Sequence, residues 1–310
     1  MDTTKALRAT PRRVTVLAVG GTGESYDGDA RTEVGGMLGY VTRELDDRFI
    51  ARWVGYPASY GPVPARSGIS YADSVALGVA NLLAALDQAD GPVVLIGYSQ
   101  GAVVIRRVLG AIADGAVAHP GLLAVGLISD PHQPVGADPR CGGYGVAGPG
   151  PYVPESLPVL WVSHPEDVIC NASGDSLVRD LADATASLSL ATVGAWAPAA
   201  LARYRVGLFQ NAAKTVFARS QWLRDVRRLR TAATEILGYL PTLRFAGRVV
   251  NPRGSRHVAY AAEPLHRRRY EDDALTGCQV LAQWLQVQAT FGTGLLSTRG
   301  AAAAQYRSAG

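Results

Sequence analysis

VVLIGYSQGAVVIRRVL, residues 93–109, runs an apolar strand straight into Gly97-Tyr98-Ser99-Gln100-Gly101 and on into an amphipathic stretch. Gly-x-Ser-x-Gly at a strand-to-helix junction is a nucleophile elbow. The serine is held in a sharp, strained turn, and its hydroxyl projects above the edge of the sheet. The glycines are needed where backbone and the following helix pass too close for side chains. In a chain with 35 glycines the pentapeptide alone is a weak signal. The buried strand before it and the helix after it carry the reading of Ser99 as a nucleophile.

Outward from this block, the chain alternates between two periodicities. Continuous apolar runs at 14–19, 49–56, 92–97, 122–129 and 158–164 predict buried strands. Helical spacing at about 34–46, 72–86 and 101–113 predicts helices between them. Strands without polar alternation, separated by helices, predict a parallel sheet covered on both faces. The Gly/Pro-rich excursion over 130–157 is too long for a plain connection and predicts a loop beside a site. After residue 174, stretches at 175–190, 198–212 and 213–239 all have helical spacing. In the last, Val216, Leu223, Val226, Ala233 and Leu237 recur at helical spacing, and the arginines fall mostly elsewhere. Strand character returns at 244–250, and a closing helix is expected over 273–290. The domain reading is therefore an α/β catalytic domain of residues 13–174 and 244–292, an inserted helical subdomain of residues 175–243, and flexible tails at 1–12 and 293–310.

The bulk numbers bound the function. At 48% apolar and 18% charged residues, the 310-residue chain can bury a sizeable core. No apolar run reaches the ~18 residues needed to span a bilayer, and the N-terminus lacks the apolar segment of a secretory signal. A soluble protein made in a cytoplasm is expected. The three cysteines, Cys141, Cys170 and Cys278, include no CxxC pair, so no structural zinc, and no metal or cofactor, is expected. The thiols are either free or joined as Cys141–Cys170. Charge is segregated: Lys214 to Arg269 holds 13 basic and 3 acidic residues, a block of +10 within a chain of +4. Such a block is a solvated helix face or a docking surface. Nothing in it resembles a nucleic-acid module.

A serine hydroxyl needs a base, and on an elbow fold the expected chain order is Ser, then Asp or Glu, then His. His257, on a loop after the last strand candidate, stands where the base belongs. Asp167, just past the fifth strand, is the candidate acid, with Asp130 and Asp175 as rivals. Asp175 is expected to cap the following helix, and Glu166 to point away from the imidazole. His132, after the fourth strand, and Tyr98, beside the nucleophile, are candidate substrate contacts. His119, before a proline, His164, where the acid is expected, and His266, beside three arginines, are placed outside the site. The oxyanion needs two donors: the backbone N–H of Gln100, and Thr22 in the glycine loop after the first strand. That loop fails the dinucleotide spacing G-x-G-x-x-G because Tyr26 occupies the last glycine position.

Gly21-Thr22-Gly23-Glu24, Tyr56-Pro57-Ala58, Gly97-Tyr98-Ser99-Gln100-Gly101, Glu166-Asp167-Val168-Ile169-Cys170 and His257-Val258-Ala259-Tyr260 together resemble the ordered motifs of the cutinase-like serine esterases. Within that group the chain is most similar to the lysin B esterases of phages that infect mycolate-walled bacteria, because a helical insertion precedes the histidine. Small cutinases place acid and base much closer in sequence. The resemblance covers roughly residues 14–290. It implies an α/β-hydrolase fold with the nucleophile at Ser99, the acid at Asp167 and the base at His257. It also implies hydrolysis of the ester joining mycolic acids to arabinogalactan, by a monomer made without a signal peptide and acting on the cell wall at lysis. Cys170 then stands where cutinases carry a disulfide near the acid. Two other functions are open: a cutinase or lipase acting on other lipid or polyester substrates, and a wall-binding module on an inactive hydrolase scaffold.

Overall fold

The computed structural model describes residues 13–119, 121–189, 196, 198, 200–203, 209–211, 219–242, 244–265 and 274–307. The chain order is β1 (Val14–Val19), α1 (Gly36–Thr42), β2 (Phe49–Trp53), α2 (Tyr71–Asp87), β3 (Val93–Tyr98), α3 (Gln100–Ala113), β4 (Leu122–Ile128) and β5 (Val159–Val162). Then come α4 (Leu177–Thr185), α5 (Trp222–Tyr239), β6 (Arg244–Phe245), β7 (Arg248–Val249), a 3-10 turn (Arg256–Ala261) and α6 (Gly277–Arg307). The first five strands form one parallel sheet in the order β2-β1-β3-β4-β5.

Alternate residues of each strand go to opposite faces. Val16, Ala18, Val94 and Ile96 pack with Leu38 and Val41 of α1 and with Leu281 and Leu285 of α6. Leu17, Val19, Val93 and Leu95 pack with Val75 and Leu82 of α2 and with Val103 and Val104 of α3. Both faces are covered, which is why these strands read as unbroken apolar runs. The chain leaves β1 for β2 on one side and reaches β3 on the other. The carboxyl ends of β1 and β3 therefore meet at the point where the strand order reverses, the usual place for a site in an open α/β sheet. The expected α/β class and its parallel sheet hold, and with the serine turn at the end of β3 the fold is that of an α/β hydrolase.

Several expectations are corrected. Residues 244–250 add no strand to the main sheet. Their two-residue strands pair with each other across Ala246-Gly247, both at positive φ, and Phe245, Val249 and Val250 are exposed. A tight turn closes locally at small entropic cost, and the short arms bury nothing against the core. The closing helix begins at Gly277 and continues to Arg307 instead of ending near 290. Ser176, not Asp175, caps α4, its side chain accepting from the Val178 N–H. All three cysteines are buried free thiols, so no Cys141–Cys170 bridge forms. Of the helix expected over 198–212, residues 200–203 are helical. Residues 209–211 form a bend and turn, and residues 199, 204–208 and 212, with Lys214, Val216 and His266, lie outside the described residues.

Helix α5 turns its polar side inward. Its buried positions are Asp225, Arg228, Ala232 and Gly238, whereas Leu223 is 77% and Leu237 50% exposed. Arg228 donates from Nε to the Asp175 carbonyl (2.8 Å) and lies 3.8 Å from Asp180. Glu235 accepts from the Ser173 N–H (2.9 Å) and from the Ser176 hydroxyl. Charge-assisted hydrogen bonds to the start of α4 hold the helix by its polar side.

Candidate active site

Ser99 sits between β3 and α3 at φ 52° and ψ −117°, a region that side-chain-bearing residues avoid. The neighbouring glycines are there for space. A Cβ at Gly97 would lie 2.8 Å from Ile105 Cδ1 and 2.9 Å from the Ala102 backbone. A Cβ at Gly101 would collide with the carbonyl oxygens of Val19 and Gly20. Close packing of α3 against the end of β1 thus turns the Ser99 hydroxyl outward.

The hydroxyl meets His257. Ser99 Oγ and His257 Nε2 are 2.9 Å apart, and His257 Nδ1 is 3.1 Å from Asp167 Oδ2 and 3.3 Å from Oδ1. Asp167 follows β5 and is fully buried, while the 3-10 turn brings His257 across from 90 residues further on. Burial pushes the Asp167 carboxyl up. The positive field of His257 and hydrogen bonds from His257, Ser129 and Tyr260 outweigh it and hold its pKa below the ordinary carboxylate value. An ionised Asp167 fixes the imidazole with its proton on Nδ1, which leaves the Nε2 lone pair facing Ser99. Neither rival acid reaches the imidazole. Asp130 accepts from Trp161 Nε1 (3.0 Å), and the Asp175 carbonyl accepts from Arg228. Glu166 faces away, toward Arg256 at 3.6 Å.

Ser129 was not anticipated. It ends β4 at φ 51°, fully buried, and donates its hydroxyl to Asp167 Oδ2 (2.6 Å). Its Oγ is also 3.0 Å from His257 Nδ1 and can accept the same proton that Asp167 accepts. Tyr260 donates to Asp167 Oδ2 (2.7 Å), and the Ile169 N–H to Oδ1 (3.1 Å). No sequence motif marks Ser129. The only available signal was its position at the carboxyl end of a central strand.

Tyr98 and His132, the candidate substrate contacts, are both engaged with protein partners. Tyr98 is buried, its hydroxyl donating to the His257 carbonyl (2.8 Å) and its ring stacked on the imidazole at 5.1 Å. It supports the histidine from behind. His132 Nδ1 lies 2.9 Å from the Gly148 carbonyl, its N–H donates to Asp130 (2.8 Å), and burial lowers its pKa. None of the described hydrogen bonds joins it to Ser99, His257 or Asp167. Asp130 is fully buried 3.6 Å from Arg106 Nε, and His132 beside it is half-buried.

The glycine loop passes against the nucleophile, since a Cβ at Gly21 would lie 3.3 Å from Ser99 Cβ. Glu24 accepts from the N–H groups of Gly21 and Met37, both at 2.7 Å, and the Gly23 N–H donates to the Ala58 carbonyl (2.9 Å). The loop is pinned from two sides with half-buried Thr22 between them. Gln100 opens α3, so its backbone N–H has no partner within the helix. Its side chain is engaged, accepting from the Tyr56 hydroxyl (3.2 Å) and donating to the Ser59 carbonyl (2.9 Å).

Residues 49–164, which contain the elbow, Ser129 and most of the sheet, match the profile of the PE-PPE domain. A segment of 81 residues is 36% identical to the SL1278 acyltransferase Chp1 of Mycobacterium tuberculosis. It covers 26% of this chain and reaches 20% of the length of that protein. Among solved structures, a cutinase-like protein from Cryptococcus sp. is 17% identical, with a TM-score of 0.39 over 51% of this chain and 79% of its own. An acetyl xylan esterase is 19% identical, with a TM-score of 0.38 over 60% of this chain and 99% of its own. The α/β-hydrolase assignment rests on the sheet order and the elbow themselves. No helix among the described residues is long and apolar enough to cross a membrane.

Proposed function

We propose that this protein is a serine ester hydrolase acting on lipid acyl esters. The observation that carries the reading is the hydrogen-bonded chain from Ser99 Oγ through both nitrogens of His257 to buried Asp167, mounted on a strained elbow. Ser99 Oγ attacks the ester carbonyl carbon while its proton passes to His257 Nε2. The oxyanion is received by the Gln100 N–H and by Thr22. His257 then protonates the departing alkoxide, leaving an acyl-Ser99 that water, deprotonated by the same imidazole, hydrolyses.

The finer substrate we infer is the mycolyl ester of arabinogalactan. The lysin B resemblance supports it, as does the helical stretch between acid and base. The partial likeness to a mycobacterial acyltransferase favours a second reading, in which an alcohol replaces water as acceptor. The test begins with a short p-nitrophenyl ester. The wild type should turn it over, and Ser99→Ala, His257→Ala and Asp167→Asn should lose activity, the first two most. Turnover by Ser99→Ala above background refutes the assignment. Purified mycolyl-arabinogalactan should then release free mycolic acid. Appearance of a new ester only when an acceptor alcohol is supplied would favour transfer, and release from other lipid esters alone would favour a cutinase or lipase.

A further inference from the structure

We infer that the outward face of α5 is a docking surface for a lipid layer bearing anionic headgroups. The inference adds to the proposed ester chemistry a place where its substrate would be met. Trp222, Val226, Leu229, Ala233, Leu237 and Leu240 recur at i, i+4, i+7, i+11, i+15 and i+18, one continuous stripe. It is turned outward, with Trp222 64% and Leu229 53% exposed, while the polar side of the helix binds the protein through Arg228 and Glu235. An amphipathic helix normally buries its apolar face. One that buries the other offers about 27 Å of apolar surface to something else.

Two observations select a lipid layer. The first is charge. Arg227 and Arg230 are exposed along one edge of the stripe, and Arg248 and Arg253 are exposed on the neighbouring segment. The two acids of α5, Asp225 and Glu235, lie on the protein side. Arginines along the edge of an apolar stripe with a terminal tryptophan are the pattern of a helix lying in a membrane interface. Packing two copies face to face would set these arginine rows against each other, whereas anionic headgroups neutralise them. The second is position. The same helix ends at Tyr239, whose ring lies 5.4 Å from the His257 ring, and exposed Val258 follows His257. The stripe therefore leads to the catalytic histidine, and a docked helix sets the cleft against the acyl chains.

The experiment uses the full chain carrying Ser99→Ala, so that it reads binding without hydrolysis and is indifferent to whether the ester chemistry is correctly assigned. Vesicles of phosphatidylcholine, alone or with phosphatidylglycerol, are sedimented with the protein. Binding to the phosphatidylglycerol vesicles is expected, weakening as salt screens the arginines. Leu229→Glu with Leu237→Glu should weaken it by about tenfold or more, and Arg227→Glu with Arg230→Glu should weaken it on the anionic vesicles. With Ser99 restored, the leucine variant should keep its turnover of a soluble short ester, its Tm and its elution volume. No sedimentation with either vesicle, or sedimentation unchanged in the leucine variant, overturns the inference. A fall in Tm overturns it too, by showing that residues 190–218 or another part of the chain cover the stripe. A shift in elution volume does the same by showing a second copy there.

Discussion

Ser99 holds a positive φ that glycine tolerates and other residues do not, so the serine should cost the protein stability. The perturbation is a pair of substitutions, Ser99→Ala and Ser99→Gly. Both remove the hydroxyl and its contact with His257 at 2.9 Å, worth about 1 kcal/mol, so that loss cancels between them. Alanine keeps a Cβ in the strained turn, where such conformations cost about 1–3 kcal/mol. Glycine relieves the strain but gives back roughly 0.5–1 kcal/mol through the greater freedom of its unfolded chain. The glycine variant should therefore equal or exceed the alanine variant, by up to about 2.5 kcal/mol. For a chain of 310 residues the unfolding entropy is about 0.65 kcal/mol per kelvin, which makes the difference up to about 4 °C in Tm. Differential scanning calorimetry of the two inactive variants, side by side, reads it. A glycine variant that melts below the alanine variant would refute the stored strain and show that Ser99 is turned outward by packing alone.

Ser129→Ala should lower kcat about tenfold with KM little changed, because Ser129 touches the acid and the base but not the substrate pocket; Ser129→Thr should recover part of the loss, and equal failure of both would mark a packing defect. Gly101→Ala should destabilise the fold by about 1–3 kcal/mol or more, since the methyl meets the Val19 and Gly20 carbonyls, and a urea midpoint equal to wild type would refute the close approach. Asp167 has a folded pKa below its unfolded value near 3.9, so the stability it contributes is present above about pH 4 and lost as pH falls through the folded value. Asp167→Asn should therefore flatten part of the acid limb of Tm against pH, and an unchanged limb would contradict the depressed carboxyl.

The sequence by itself determined the α/β class and the elbow, and it put forward Ser99, Asp167 and His257 in that order with Asp130 and Asp175 as rival acids. These are written in local terms. Apolar runs buried on both faces, glycines at fixed offsets and the end of a strand each leave a mark within a few residues. The tertiary structure decided what depends on distant partners. Ser129 joined the site because the end of β4 lies beside the end of β5, and a lone serine after an apolar run carries no trace of that neighbour. The protein partners of Tyr98 and His132, the carbonyls of His257 and Gly148, likewise depend on segments far away in sequence or on the path of a long loop. Residues 244–250 had the composition of a strand, but only long-range pairing could say whether they joined the sheet, and they pair with each other. Helix α5 shows the limit most plainly. Its period fixes that one face is apolar, and that period is the same whether the face meets a core or a lipid layer. The choice fell to Arg228 and Glu235, whose partners at Asp175, Ser173 and Ser176 lie about 50–60 residues away and draw the polar side inward against the usual preference.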